Sequence, residues 1–236
     1  HYARIDTDPE GAPRLLQGKD QGKDQSYVLW AIPRQTLGRT LFPVGQMTKP
    51  QVRQTARDHH LATAEAPDSQ EICFVADGDY RRFLRENAAD RLAAVGSGEI
   101  VNEEGSVVGN HDGYPDFTLG QRRGLGLSNP EPLYVKALDP AENRITVAPR
   151  AALFGRHCHV GQLNWLVEPP SSAIQVVGRV RYNGSGAPAR LVPNGASTVH
   201  LEFDEPQLAI TPGQSAVFYD GQVLMGGGVI QAEGDG

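Results

Sequence analysis

From Val95 onward the chain never runs far in apolar residues before a glycine, proline, asparagine or aspartate interrupts it. That rhythm constrains the fold more than any other feature. Segments 174–182, 189–192, 199–203 and 216–219 have strand composition. Val199, Leu201 and Phe203 alternate with His200 and Glu202, as in a strand with one buried face. Asp220-Gly221 between Phe218-Tyr219 and Val223-Leu224 is the strongest hairpin signal, because a two-residue turn needs positive φ. Strands spaced by about ten residues predict a small antiparallel barrel or sandwich. Pro169-Pro170-Ser171-Ser172 marks a boundary ahead of it.

The first 95 residues read differently. Strands at 2–5 and 14–17 flank an Asp-, Pro- and Gly-rich turn, predicting a hairpin. A polar loop, 18–27, leads into an expected helix over 25–32, with Asp24 as N-cap and Pro33 as stop. Thr48 is expected to cap a second helix, with Pro50 in its first turn and Val52, Ala56 and Leu61 facing inward. After a strand-like segment at 72–76, Asp77 or Asp79 should cap a helix with Tyr80, Phe83, Leu84, Ala88 and Leu92 on one face. A helix-poor module then spans about 95–155. It has a hairpin around Glu104-Gly105, a glycine-rich segment at 109–126, and strands at 133–138 and 144–148.

Composition narrows the function classes. Two cysteines in 236 residues exclude a disulfide framework. No apolar run reaches about 18 residues, so no membrane partner is expected. No secretory leader is visible, and a reducing cytoplasm is the expected compartment. A net charge of −6 argues weakly against nucleic acid. Yet 18 of the 22 basic residues are arginines, which suit phosphate forks and base stacking unless they reflect compositional bias. The chain opens on His1-Tyr2-Ala3-Arg4-Ile5, which reads as the inside of a strand with no initiator methionine. It is expected to be part of a longer protein.

Few residues suggest chemistry. Cys73, in Ile72-Cys73-Phe74-Val75, is either a buried free cysteine or a thiolate that carries sulfur. Cys158 lies in His157-Cys158-His159, where neighbours on a strand face opposite ways, so a metal is not expected. Gly124-Leu125-Gly126 and Gly226-Gly227-Gly228 are neither Walker loops nor dinucleotide fingerprints and read as bulges or close approaches. Gln121-Arg122-Arg123 reads either as a phosphate contact or as a solvated pair. His59-His60 sit where a helix dipole would meet them. Arg179-Val180-Arg181-Tyr182 puts two arginines on one strand face beside an aromatic ring, a pattern suited to single-stranded RNA and also common on plain exposed strands.

Several strings in order resemble the bacterial tRNA-specific 2-thiouridylases. They are His1-Tyr2-Ala3-Arg4, Lys23-Asp24-Gln25-Ser26-Tyr27, Phe42-Pro43-Val44-Gly45, Asp68-Ser69-Gln70-Glu71-Ile72-Cys73-Phe74, Thr118-Leu119-Gly120-Gln121-Arg122-Arg123-Gly124-Leu125-Gly126, Pro212-Gly213-Gln214-Ser215-Ala216-Val217-Phe218-Tyr219 and Gly226-Gly227-Gly228-Val229-Ile230. The resemblance implies three parts. Residues 1–93 would be the α/β remnant of a Rossmann-like ATP-pyrophosphatase domain, 94–160 a small β-rich central domain, and 161–233 a C-terminal antiparallel β-barrel contacting tRNA. It implies that ATP, with Mg2+, activates the wobble uridine, and that a persulfide then delivers sulfur to carbon 2. A sulfur-carrier protein would load the persulfide onto Cys73. A partner cysteine would form a transient disulfide with Cys73. The resemblance also implies tRNA contacts by His1, Lys23, Asp24, Gln25, Arg181, Tyr182 and Gln214. The family's Ser-Gly-Gly-x-Asp-Ser phosphate loop does not occur in the 236 residues, and Cys158 matches neither family cysteine. The expectation is that this stretch alone is inactive. A non-catalytic RNA-binding module and a plain β-rich structural domain are the other readings.

Overall fold

In a computed structural model, residues 1–66, 79–195 and 197–232 are described. The elements are β1 (Ala3–Thr7), β2 (Pro13–Gln17), α1 (Lys49–Asp58), α2 (Tyr80–Asn87), α3 (Ala89–Val95), β3 (Gly98–Val101), β4 (Val107–His111), β5 (Leu133–Asp139), β6 (Arg144–Pro149), β7 (Phe154–Trp165), β8 (Ile174–Arg179), β9 (Ala187–Asn194), β10 (Thr198–Leu208), β11 (Ser215–Asp220) and β12 (Val223–Ile230). They form two compact units, one of residues 1–66 with 155–236, the other of residues 67–154.

The first unit is built on a closed barrel. β12, β11, β8, β9, β10 and β7 are successive neighbours, and β7 pairs back onto β12. Five of these six pairings are antiparallel by register. A closed ring of six strands then forces the sixth, β7 to β10, to be antiparallel as well. Closure removes the edges that an open sheet would leave unpaired. The triple glycine makes closure possible. A Cβ on Gly226 would lie 2.4 Å from the Asn164 carbonyl oxygen, and one on Gly228 would lie 2.4 Å from that of Gly161. Only glycine lets β12 approach β7 so closely.

Side chains divide cleanly between two cores. Val160, Val176, Leu191, Leu201, Phe203 and Phe218 fill the barrel. Ala216 and Phe218 on β11 point into it, while Val217 and Tyr219 point outward and are equally buried. That outer face lies under Ala3, Leu15, Tyr27, Leu29 and Leu37. A strand covered on both sides reads as a continuous apolar run, which explains Ala216-Val217-Phe218-Tyr219. The hairpin β1–β2 pairs Ala3 with Gln17 through Thr7 with Pro13 and joins β12 where Val223 faces Leu16. Segment 1–66 thus widens the barrel sheet.

The second unit carries a four-stranded sheet in the order β4-β3-β6-β5, with β3 and β6 parallel and the other pairs antiparallel. Its core is Ile100, Leu125, Val135, Ile145 and Val147.

Four sequence expectations change. The helix expected over 25–32 is a 3-10 turn, Ser26–Leu29, because the Asp24 carboxylate points inward instead of capping a longer helix. Expected helix 80–92 is two helices. The Asn87 side chain takes the Phe83 carbonyl at 2.8 Å, and Ala88 leaves the helical region at φ −142°. α1 begins after Thr48 as expected, but it buries no residue, and Leu61 beyond it is exposed. β7 was not anticipated. It runs unbroken across position 160, because Phe154–Trp165 mixes His, Gln, Asn and Gly with its apolar residues and so hides the strand period. The strand expected at 72–76 lies outside the described residues.

Candidate nucleic-acid interface

Asp24 is the hub of a buried polar network. Its side chain is 4% exposed. One carboxylate oxygen, Oδ1, accepts the backbone N–H of Gly18 at 2.9 Å and of Ser26 at 3.1 Å. The other, Oδ2, accepts the Ser26 hydroxyl at 2.9 Å and the Arg179 guanidinium at 3.2 Å. Ser26 Oγ also lies 3.0 Å from the Tyr219 hydroxyl. A buried charge is tolerated only when it is paired and fully hydrogen-bonded, and both conditions hold here.

Arg179 sits at the last position of β8, and its guanidinium turns back over the protein. It lies 5.3 Å above the Tyr27 ring, a cation–π geometry. Its Nε donates to the Arg181 carbonyl at 3.3 Å, and its Nη2 donates to the Tyr182 carbonyl. Arg179 and Arg181 therefore do not share a strand face, contrary to the sequence expectation. The strand stops at Arg179 because the buried carboxylate draws it inward, and Arg181 and Tyr182 fall in the following turn. Their side chains are exposed, with Tyr182 at 44%. The Tyr182 ring meets that of Tyr27 edge-on at 6.0 Å.

Other expected contacts collect on the same unit. Gln25 Oε1 accepts the Tyr2 N–H at 3.0 Å, and Gln25 N–H donates to the Tyr2 carbonyl at 2.9 Å. This holds exposed His1 beside the 23–27 loop. Lys23 ends the 3-10 turn Gln21–Lys23 and is half-buried. Gln214 is exposed just ahead of Ser215, which binds the same loop: its carbonyl accepts Tyr27 Oη at 2.8 Å and its hydroxyl accepts Trp30 Nε1 at 2.9 Å. So His1, Gln25, Arg181, Tyr182 and Gln214 border one construction, with Asp24 beneath it. Ser26, Tyr27 and Tyr219 were not singled out from sequence; only their polar tips within apolar runs could have marked them.

Burial fixes the protonation of the phenols. It pushes Tyr219 up to about 12, and it raises Tyr27 against the opposing pull of Arg179. Both remain neutral and serve as hydrogen-bond donors or rigid rings. Arg181 is exposed and places a positive charge at this surface.

Cys73 lies outside the described residues. Cys158 points into the barrel core, and desolvation raises its thiol to about 12, so it is inert as a nucleophile at neutral pH. His157 and His159 project the other way, where both rings meet that of His200. Among the described residues no group of three or more His, Cys, Asp or Glu is placed to hold a metal ion, and no helix is long and apolar enough to cross a membrane.

Three family profiles cover the chain in succession. The profile described as tRNA methyl transferase HUP domain matches residues 1–77, the tRNA methyl transferase PRC-barrel domain matches 83–149, and the aminomethyltransferase beta-barrel domain matches 155–230. A tRNA-specific 2-thiouridylase MnmA of Chlorobium phaeobacteroides is 46% identical over 231 residues, covering 98% of this chain and 64% of that protein. Proteins of the same name from Geotalea uraniireducens and Microcystis aeruginosa are 44% and 43% identical, again over 98% of this chain. The chain spans 61% and 65% of their lengths. Near-complete coverage at this identity, with the three profiles in order, shows that the chain belongs to the tRNA-specific 2-thiouridylase family.

Proposed function

We propose that this chain is the tRNA-holding and sulfur-donating part of a tRNA 2-thiouridylase, in which persulfide sulfur on Cys73 is delivered to carbon 2 of the wobble uridine. One observation supports the RNA half best: the 23–27 loop and the 179–182 turn, far apart in sequence, meet through the Asp24–Arg179 pair. Exposed Tyr182 and Arg181 at that junction offer a stacking ring beside a phosphate-binding fork. His1, Lys23, Gln25 and Gln214 extend the contact. Asp24 acts as a positioning residue, because all of its acceptor capacity faces inward.

The family implies ATP with Mg2+. Among the described residues the helix starts do not form a phosphate cradle. α1 follows Thr48, α2 follows Asp79, whose carboxylate already accepts Arg82 N–H at 3.0 Å, and α3 follows Ala88. None follows a glycine-rich loop, so these helix starts alone would not hold the nucleotide's phosphates. In this reading residues 1–93 belong to the catalytic domain, 94–160 to the central domain and 161–233 to the barrel, with a sulfur-carrier protein loading Cys73 in the cytoplasm. The 236 residues alone do not thiolate tRNA.

Two measurements test the reading. Transfer RNA should bind the chain with salt-dependent affinity, and a persulfide donor protein should add one sulfur to the Cys73 peptide by mass. Binding without sulfur loading would leave a non-catalytic RNA-binding module, and neither signal would remove the proposal. Thiolated tRNA formed by this chain alone would contradict the inactivity assigned to it.

A further inference from the structure

A second arginine pair stands on the unit of residues 67–154. Arg122 and Arg123 are exposed, and neither has an ion-pair partner among the described residues. Elsewhere Arg57, Arg82, Arg144 and Arg156 are each paired with a glutamate. The loop that carries Arg122 and Arg123 is braced from both sides by one side chain. Gln121 Oε1 accepts the Thr118 N–H at 3.0 Å, and its Nε2 donates to the Arg123 carbonyl at 2.9 Å. The backbone is tied to β5 at the same place, by Gly120 N–H to the Val135 carbonyl at 2.8 Å and Val135 N–H to the Gln121 carbonyl at 2.9 Å. Leu119, Leu125 and Leu127 anchor the loop in the core. Gly124 and Gly126 adopt φ of +75° and +68°, a conformation that lets the chain reverse between these anchors.

Beside Arg122 opens a cleft of about 280 Å³. Its walls include Arg122, Leu127, Asn129, Pro130 and Pro132, with Glu131 as its one carboxylate. A rigid loop presenting two guanidinium groups without ion-pair partners among the described residues, one of them on a mostly polar cleft, suits a phosphate joined to a sugar. Two exposed arginines that merely solvated the surface would need neither the brace nor the cleft.

We propose that Arg122 and Arg123 form a second RNA-backbone site, in which the guanidinium forks take phosphodiester oxygens and the cleft receives the adjoining ribose. This inference rests on the tRNA-binding reading and extends it to a surface with no assigned role.

The test is tRNA binding by the chain, followed by fluorescence anisotropy across a salt series. Replacing Arg122→Ala and Arg123→Ala together should weaken binding roughly tenfold and lower the slope of log affinity against log salt by about two. Inorganic phosphate should compete far less well than an oligoribonucleotide at equal phosphate concentration. Unchanged affinity and slope in the double variant, when Arg181→Ala still weakens binding, would overturn this site and leave the barrel contact standing. Equal competition by inorganic phosphate would overturn its assignment to RNA. Failure of the parent chain to bind tRNA would remove the functional reading and this inference together.

Discussion

Asp24→Asn isolates the charge at the centre of the buried polar network. The amide keeps the shape of the carboxylate and can still accept the Gly18 and Ser26 N–H groups. What it loses is the compensation of Arg179, whose side chain is only 14% exposed. Removing one member of a buried pair costs about 3–5 kcal/mol, because the remaining charge stays desolvated. Arg179 keeps two carbonyl acceptors and the Tyr27 face, which places the loss at the low end, about 3 kcal/mol. For a unit of this size that corresponds to a fall in Tm of about 6–12 °C. Arg179→Met should cost less, about 2 kcal/mol, since the carboxylate retains three donors. If the two groups act as a pair, the double variant is less damaged than the two losses added, by about 2 kcal/mol. Thermal and urea unfolding followed by circular dichroism provide the cycle. Asp24→Asn within about 0.5 kcal/mol of the parent, or strict additivity, would refute the reasoning.

Three further outcomes are expected. Gly228→Ala should cost about 3 kcal/mol or prevent folding, since its Cβ would meet the Gly161 carbonyl at 2.4 Å and Val160 Cγ1 at 2.8 Å; a variant that melts like the parent would show that the barrel closes otherwise. Burial lowers the His111 pKa, against smaller opposing contributions from Asn143 and Asp112, and its Nδ1 accepts the Gly113 N–H at 3.0 Å. Its folded value lies below the unfolded one, so this contribution to stability is complete above about pH 6.5 and is lost as pH falls through the folded value. His111→Gln should flatten the acid limb of the melting curve, and an unaltered limb would count against this histidine. Cys158 in the native chain should resist iodoacetamide at neutral pH, given a thiol raised to about 12; labelling at the rate of an unhindered thiol, read by peptide mass, would contradict its burial.

The barrel was largely legible because its information is local. Asp220-Gly221 specified a hairpin through turn chemistry, and Gly221 adopts φ +55° there. Val199, Leu201 and Phe203 announced their inward face by alternation, and all three are buried. β7 was not legible, since its pairing with β12 depends on glycines more than sixty residues away. The candidate site was half legible. The Arg179–Tyr182 string suggested RNA, but the direction of Arg179 was set by Asp24, a partner 155 positions distant. Period-two reasoning assigns a side chain to a face; it cannot see a buried carboxylate that ends the strand and turns the guanidinium inward.

The same pair bears on how an acidic chain could hold the anionic partner proposed for it. A net charge of −6 is an average over the surface, whereas attraction to a phosphate is felt within about 10 Å at ordinary salt. Asp24 would seem to cancel the positive charge where it is needed. Its cancellation falls on Arg179, a half-buried side chain tied to the Tyr182 carbonyl, and leaves Arg181 exposed and without an ion-pair partner among the described residues. Arg179 in turn spends its remaining donors on the Arg181 and Tyr182 carbonyls, fixing the turn that presents both side chains. One ion pair thus supplies order and leaves the neighbouring charge exposed. In the proposed function, affinity for tRNA depends on Arg181 directly and on Asp24 only through the shape of that turn. Loss of Arg181 should therefore reduce the salt slope by about one, while Asp24→Asn should weaken binding with the slope unchanged.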